Sequence, residues 1–162
     1  MKLNNSGSDA IIKIIKECPV FQGFSASEVK KLISVSHIRN YSEGEKIFSQ
    51  GTLGICFYII TGGSAEIVFD NNGESVKLKD LITGDFFSET HLFAETYHNV
   101  SCISREASQI LVITRPDLEH LIKTNPRFAN KLLLRFLEHL ALENEKLYKD
   151  YLSITVKSPR LQ

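Results

Sequence analysis

The sequence predicts an α+β fold, in which an antiparallel β-roll resembling a double-stranded jelly roll carries N-terminal helices and a long C-terminal helix. Between residues 37 and 113, glycine-containing turns separate short runs rich in β-branched residues, a spacing typical of rolls and barrels. Asn72-Gly73 is the strongest hairpin signal, because a type I′ turn needs positive φ at both central positions. Outside this region the apolar residues recur at helical spacing.

The roll is predicted to contain a series of short strands, each of which ends at a turn signal or a polar stretch. The runs are long enough for strands, and their β-branched and aromatic residues favour strands over helices. The predicted strands are residues 38–41, 46–48, 57–60, 65–69, 76–81, 99–104 and 109–113.

Helical signals flank the roll and divide the chain into four predicted parts. Ser25 and Glu28 fit a capping box at the start of a helix, and Pro116 and Pro126 each fit the first turn of a later one. The predicted parts are a tail and short helix at residues 1–18, a β-roll domain at 19–125, a long dimerisation or lid helix at 126–153, and a tail at 154–162.

Composition and charge exclude several classes of function. Hydrophobic residues make up 43% of the 162 residues and charged residues 23%, as in ordinary globular domains. The 19 basic and 19 acidic side chains cancel, whereas a surface that binds duplex DNA normally has a basic excess. The segment after the long helix is also too short for a helix-turn-helix domain, so we expect no direct DNA binding.

The spacing of cysteine and histidine residues predicts no metal centre. Cys18, Cys56 and Cys102 are far apart, so neither a zinc knuckle nor a redox pair is indicated, and the five histidines show no paired spacing. The N-terminus lacks the apolar segment of a signal peptide, and no apolar stretch is long enough to span a bilayer. We therefore expect a cytoplasmic location without membrane association.

The C-terminal helix has a heptad pattern, because its apolar residues recur at alternating steps of three and four. A single Asn at an a position is typical of two-stranded parallel coiled coils, so we expect a homodimer through this helix. The alternative is that the same residues pack only on the roll of their own chain. The d positions are Leu133, Leu140, Leu147 and Ile154, and the a positions are Leu137, Asn144 and Tyr151.

The segment 83–104 contains the candidate ligand site. Gly84-Asp85 indicates a turn, and Ser88-Glu89-Thr90 follows as a possible single turn of helix. Free backbone N–H groups at a helix start favour an anion such as phosphate. A strand that resumes at Asn99 would share one concave pocket with this turn.

Residues 84–89, Gly-Asp-Phe-Phe-Ser-Glu, followed by apolar residues at 92–93 and a strand near residue 99, resemble the phosphate-binding cassette of cyclic nucleotide-binding domains. Such domains occur in catabolite-activator-type regulators, in regulatory subunits of cAMP-dependent kinases and in nucleotide-gated channels. The resemblance implies that Glu89 bonds the ribose 2′-hydroxyl, that backbone amides cradle the cyclic phosphate, and that cAMP or cGMP is the type of ligand.

The chain departs from the family cassette at three positions. Ser88 replaces a glycine, His91 replaces a small residue, and His98 stands where the family has the arginine that pairs with the phosphate. An imidazole donates one hydrogen bond where arginine forks onto two oxygens, so weak or altered ligand binding is predicted. The predicted ligand-binding residues are Phe87, Ser88, Glu89, Thr90, His91, Leu92, His98, Asn99 and Val100.

Two functions of different classes follow from these features. The first is a sensor that binds a cyclic nucleotide or another small anion and signals to an effector protein. The second is a degenerate roll that acts as a dimeric protein-interaction scaffold without a nucleotide ligand. We expect no enzyme, no catalytic residue and no bound metal, because the sequence pairs no nucleophile with a base and groups no metal ligands.

Overall fold

A computed structural model of the chain describes residues 5–157, with side-chain surroundings for residues 8–156. Within that range the chain forms four α-helices and eight strands, which confirms the predicted α+β class. The helices are α1 (Asn5–Glu17), α2 (Ala26–Val35), α3 (Arg115–Thr124) and α4 (Pro126–Lys157). The strands are β1 (His37–Tyr41), β2 (Lys46–Phe48), β3 (Cys56–Gly62), β4 (Ser64–Asn71), β5 (Glu74–Ile82), β6 (Phe86–Phe87), β7 (Ser101–Ser104) and β8 (Ser108–Thr114).

The strands of the described chain form two four-stranded antiparallel sheets, which together make the predicted β-roll. The first sheet has the order β1-β8-β3-β6 and the second has the order β2-β7-β4-β5. Apolar side chains from both sheets are buried together, as expected for a roll that encloses its own core. The residues of this inner core are Tyr41, Tyr58, Ile60, Ala65, Leu81, Phe87, Cys102, Ile110 and Val112.

Strand β3 is buried on both faces, because successive side chains of a strand point to opposite sides of the sheet. Tyr58 and Ile60 belong to the inner core, whereas Phe57 and Ile59 belong to a second core beneath the helices. Phe57 packs edge to face on Phe136 of α4, with ring centroids 5.1 Å apart. The strand therefore connects the roll to the long helix.

The turn and cap predicted from local sequence are both present. Asn72 and Gly73 have φ of 54° and 94° at the tip of the β4–β5 hairpin, where the Gly73 N–H donates to Asp70 Oδ1 over 2.7 Å. The Ser25 N–H donates to the Glu28 carboxylate over 2.7 Å, and the Glu28 N–H donates to the Ser25 hydroxyl over 3.2 Å. This is the predicted capping box.

Strand β6 was not predicted, because a two-residue strand has no pattern of its own. It forms because Phe86 and Phe87 pair with Ile59 and Tyr58 of β3. Strand β7 begins at Ser101, so the first residues of the predicted strand 99–104 lie in the preceding loop.

The helices at both ends of the chain are longer than predicted. Residues 1–8 are expected to form a loose tail, whereas α1 begins at Asn5 and continues to Glu17. Helix α4 passes the predicted end at residue 153 and continues to Lys157, so residues 154–157 are helical. The remainder of the predicted tails, residues 1–4 and 158–162, lies outside the described residues.

Within residues 8–156, only the first part of α4 packs on the other elements. Phe128, Leu132 and Phe136 are buried in the core beneath the helices, whereas every residue from 141 to 156 is exposed. Among the described helices, none combines enough length with enough apolar character to cross a bilayer. Because residues 141–156 are exposed, this half of α4 projects beyond the other described elements, and the apolar side of the helix is exposed there.

Candidate ligand site

A cavity opens beside the segment that follows β6 and the loop that precedes β7. Its volume of about 330 Å³ is at the lower end of the range for small-molecule sites. A one-turn 3₁₀ helix, Glu89–Leu92, contributes to its wall, and β2 and β4 contribute one residue each. The lining residues are Phe48, Ile67, Phe87, Ser88, Glu89, Thr90, His91, His98, Asn99 and Val100.

The structure brings every predicted ligand residue except Leu92 to this cavity. Leu92 does not line the cavity, because its side chain is 3% exposed in the core beneath the helices. Phe48 and Ile67 were missed, since their strands are distant in sequence and alternation predicts only which strand face a residue occupies. Contact with a ligand stays a prediction for all of these residues.

Ser88 turns the chain into the 3₁₀ helix through a left-handed backbone conformation, with φ of 69°. This conformation favours glycine, which is the residue that the cassette has at this position. The Ser88 carbonyl accepts the His91 N–H over 3.2 Å, and the Ser88 hydroxyl shares a 3.0 Å hydrogen bond with His91 Nδ1. These bonds hold the His91 imidazole beside the turn.

The Glu89 carboxylate links the cavity to the long helix. Its Oε1 lies 3.6 Å from Nε2 of His139 on α4, an ion pair whenever this imidazole is protonated. The Glu89 side chain is only 14% exposed, so few solvent molecules compete for the contact. The His139 ring also packs edge to face on Phe86, with centroids 4.7 Å apart. The Glu89 side chain therefore lines the cavity and contacts α4 at the same time.

His98 stands at the cavity wall as a neutral group. Its side chain is buried, and its ring stacks on Phe48 with centroids 3.8 Å apart and planes 8° apart. Burial, together with the His91 ring at 4.2 Å, lowers the pKa of His98 to about 4. The imidazole at the position of the family arginine therefore brings no positive charge at neutral pH.

No lysine or arginine is found among the described residues that line the cavity. Arg115 approaches the cassette without lining the cavity: its Nη2 donates to the His91 carbonyl over 3.4 Å and its Nη1 to Glu95 over 3.0 Å. Its Nε is buried and lacks a hydrogen-bond partner. The guanidinium is thus engaged in holding the cassette backbone.

The hydroxyl–imidazole pair of Ser88 and His91 has the distance of a nucleophile and its base, but a catalytic pair also needs a group that orients the imidazole. Over the described part of the chain, no such hydrogen bond reaches the other ring nitrogen of His91. The two side chains are bonded to each other within the turn. Nor do three potential metal ligands cluster anywhere within residues 5–157.

Residues 38–125 match the family model of the cyclic nucleotide-binding domain, and this range includes the whole cavity. The chain belongs to the cyclic nucleotide-binding domain family. It is 31% identical over 133 residues to the cyclic AMP receptor protein of Thermus thermophilus, covering 80% of this chain and 62% of that protein. It is 34% identical over 92 residues to a cAMP-dependent protein kinase regulatory subunit of Mycosarcoma maydis, covering 57% of this chain and 18% of the relative.

Solved structures of the family superpose on the domain. The catabolite activator protein of Thermus thermophilus matches with a TM-score of 0.69 and 30% identity, over 83% of this chain and 63% of that one. A cyclic nucleotide-binding domain from Methylobacillus flagellatus matches with a TM-score of 0.77 and 21% identity, over 97% and 88% of the two chains. The chain spans less than two thirds of the length of the first two relatives.

We predict that Gly54→Ala lowers stability because a Cβ at this position would overlap Cδ2 and Cγ of the His91 ring. The free energy of unfolding in urea should fall by about 1–3 kcal/mol, the usual effect of overpacking. Gly62→Ala is the matched control, since its nearest neighbour would be Gln109 Cβ at an ordinary 3.8 Å. Adding His91→Ala to Gly54→Ala should restore stability. Equal losses in both alanine variants would contradict the assigned clash.

A second prediction concerns the pH dependence of the free energy of unfolding. Because the pKa of His98 is lowered from 6.5 to about 4 on folding, the unfolded chain binds a proton between these pH values that the folded chain does not bind. The stability that neutral His98 contributes is fully present above pH 6.5 and is lost as the pH falls toward 4. Between pH 7 and pH 5 the free energy of unfolding should decrease by about 2 kcal/mol. Urea unfolding of His98→Gln should show a smaller pH dependence. Identical pH profiles for the unmodified chain and His98→Gln would refute the assigned role of His98.

Proposed function

We propose that this domain is a regulatory module that binds a small nucleotide-like ligand in the cavity and reports occupancy through α4. The family membership and the retained Glu89 support a ligand of the cAMP or cGMP type. The observation that carries the proposal is the contact between Glu89 and His139, since it joins a cavity residue to the long helix. Such a module acts by binding and not by catalysis.

The signal passes through competition for the Glu89 carboxylate. A ligand hydroxyl that donates to Glu89 weakens its contact with His139, and with it one of the contacts that hold α4 against the cassette. Phe136 and Phe93, whose ring centroids are 5.7 Å apart, form a second link between α4 and the segment after the 3₁₀ helix. The ligand shifts the position of α4 only if it binds one position better than the other.

The affinity for cyclic nucleotides is weak in this proposal. A charge-assisted hydrogen bond contributes about 1.5–3 kcal/mol, so a phosphate that lacks an arginine partner loses roughly tenfold to a hundredfold in affinity. His98 lines the cavity as a neutral imidazole, which donates at most one uncharged hydrogen bond.

In a thermal-shift experiment, we expect cAMP or cGMP to raise the melting temperature by a few degrees only at millimolar concentration. Stabilisation follows RT ln(1 + [L]/Kd), so it reaches about 1.4 kcal/mol at a ligand concentration of about ten times Kd. Glu89→Ala should abolish the shift, and His98→Arg should move it to lower ligand concentration.

Glu143→Ala provides the control, because Glu143 is exposed on α4 beyond the packed body. Its shift should equal that of the unmodified chain. The absence of any shift with folded protein and all variants would leave only the scaffold function. That alternative is favoured by one observation, the two imidazoles of His91 and His98 at the place where the cassette of the family receives a phosphate.

The exposed half of α4 supports a homodimer as the second part of the proposal. Three heptad residues of this half, Leu147, Tyr151 and Ile154, are 64–66% exposed and so do not pack on their own roll. The neighbouring Tyr148, at an e position, is 63% exposed and widens the apolar side. Two copies aligned in parallel would bury this side. The dimer would then signal to an effector protein, and we place both in the cytoplasm.

We predict that Leu147→Glu converts the dimer to a monomer, because a carboxylate at a d position would be buried against its copy. Leu142→Glu is the matched control: this leucine is exposed to a similar extent, 71% against 66%, but occupies an f position outside the seam. Sedimentation velocity should report a dimer for the unmodified chain and for Leu142→Glu only. A monomer in all three samples would refute the dimer.

A further inference from the structure

The charged side chains around the cavity indicate which net charge a ligand can have, which family membership does not. Among the described residues that line the cavity, Glu89 has the only carboxylate, and no lysine or arginine accompanies it. Among the described residues, the ion-pair partner of this carboxylate is His139, at 3.6 Å, which does not line the cavity. An anion entering the cavity would meet a negative charge and no permanent positive charge.

Repulsion of this kind is large enough to decide which ligand binds. Two like charges several ångströms apart in a partly buried site weaken binding by about tenfold or more. The resemblance implies an arginine that pairs with the phosphate, and His98 stands at its position in this chain. The described cavity wall has no such arginine, so the Glu89 carboxylate repels a phosphate without compensation.

His98 does not replace this charge. His98 is held flat against Phe48 and is buried, which lowers its pKa to about 4. His91 is turned toward Ser88 by its Nδ1 hydrogen bond. Together with the Ser88 and Thr90 hydroxyls, these side chains form a polar wall that suits hydroxyl groups.

The remaining walls suit an uncharged planar group. Phe48, Ile67, Phe87 and Val100 give the cavity an apolar side, while the Glu89 carboxylate offers hydrogen-bond acceptors. The best complement is a molecule with hydroxyl donors at one end and an apolar or aromatic body at the other.

We infer that the cavity selects an uncharged ligand of this type, a nucleoside rather than the cyclic monophosphate of the same nucleoside. The inference rests on the proposed ligand-binding function and replaces the cAMP or cGMP type of ligand by the corresponding nucleoside. The matched pairs adenosine and cAMP, and guanosine and cGMP, isolate the effect of the phosphate, because each pair shares its base.

Isothermal titration of the full chain with both pairs tests the inference. We expect the nucleoside to bind at least about tenfold more tightly than the cyclic nucleotide. Glu89→Gln removes the negative charge and should reduce this preference by about tenfold, whereas Glu143→Gln, an exposed change on α4, should leave the preference unaltered. His98→Arg should reverse the preference in favour of the cyclic nucleotide.

Each contrary outcome has a distinct meaning. A cyclic nucleotide that binds more tightly than its nucleoside would overturn the inference and leave the proposed sensor function in place. A nucleoside preference that is unchanged in both Glu89→Gln and His98→Arg would overturn the assignment to this cavity. No binding of any of the four molecules to folded protein would overturn both the inference and the ligand-binding function.

Discussion

The burial of β3 on both faces is the constraint on which the candidate site depends. Tyr58 and Ile60 close the inner core of the roll, and Phe57 anchors Phe136 of α4 on the opposite face. The same strand pairs with Phe86 and Phe87, and so delivers the cassette to the place where the roll meets the long helix. A site formed at this junction is positioned to influence α4, because β3 contacts both the cassette, through strand pairing, and α4, through Phe57.

The cavity lies in the segment that resembles the phosphate-binding cassette, and the described residues of its wall include no lysine or arginine. Glu89 remains at the wall, while His98 is held as a neutral ring against Phe48 and Arg115 is engaged with Glu95 and the cassette backbone. The fold and the charge of the cavity depend on different residues of this chain: the roll depends on apolar alternation and turns, whereas the charge depends on a few wall residues. Both proposals for this domain follow from that separation.

Local signals account for most of what could be predicted. Asn72-Gly73 and the Ser25–Glu28 capping box formed as expected, because both depend on hydrogen bonds within a few residues. Strand β6 escaped prediction, since its only reason to be a strand is its pairing with β3. The packing of Leu92 beneath the helices likewise depends on which face of a single turn is covered, and sequence gives no periodicity over so short a segment.

The sequence by itself determined the β-roll class, the turns, the heptad side of α4 and the segment in which the cavity lies, because alternation, glycine placement and helical spacing are local properties of the chain. Tertiary structure alone decided that Phe48 and Ile67 complete the cavity wall, that burial keeps His98 neutral and that Glu89 meets His139. Each of these outcomes joins residues far apart in sequence. Contacts and electrostatic surroundings of that kind arise only when the sheets and α4 pack together.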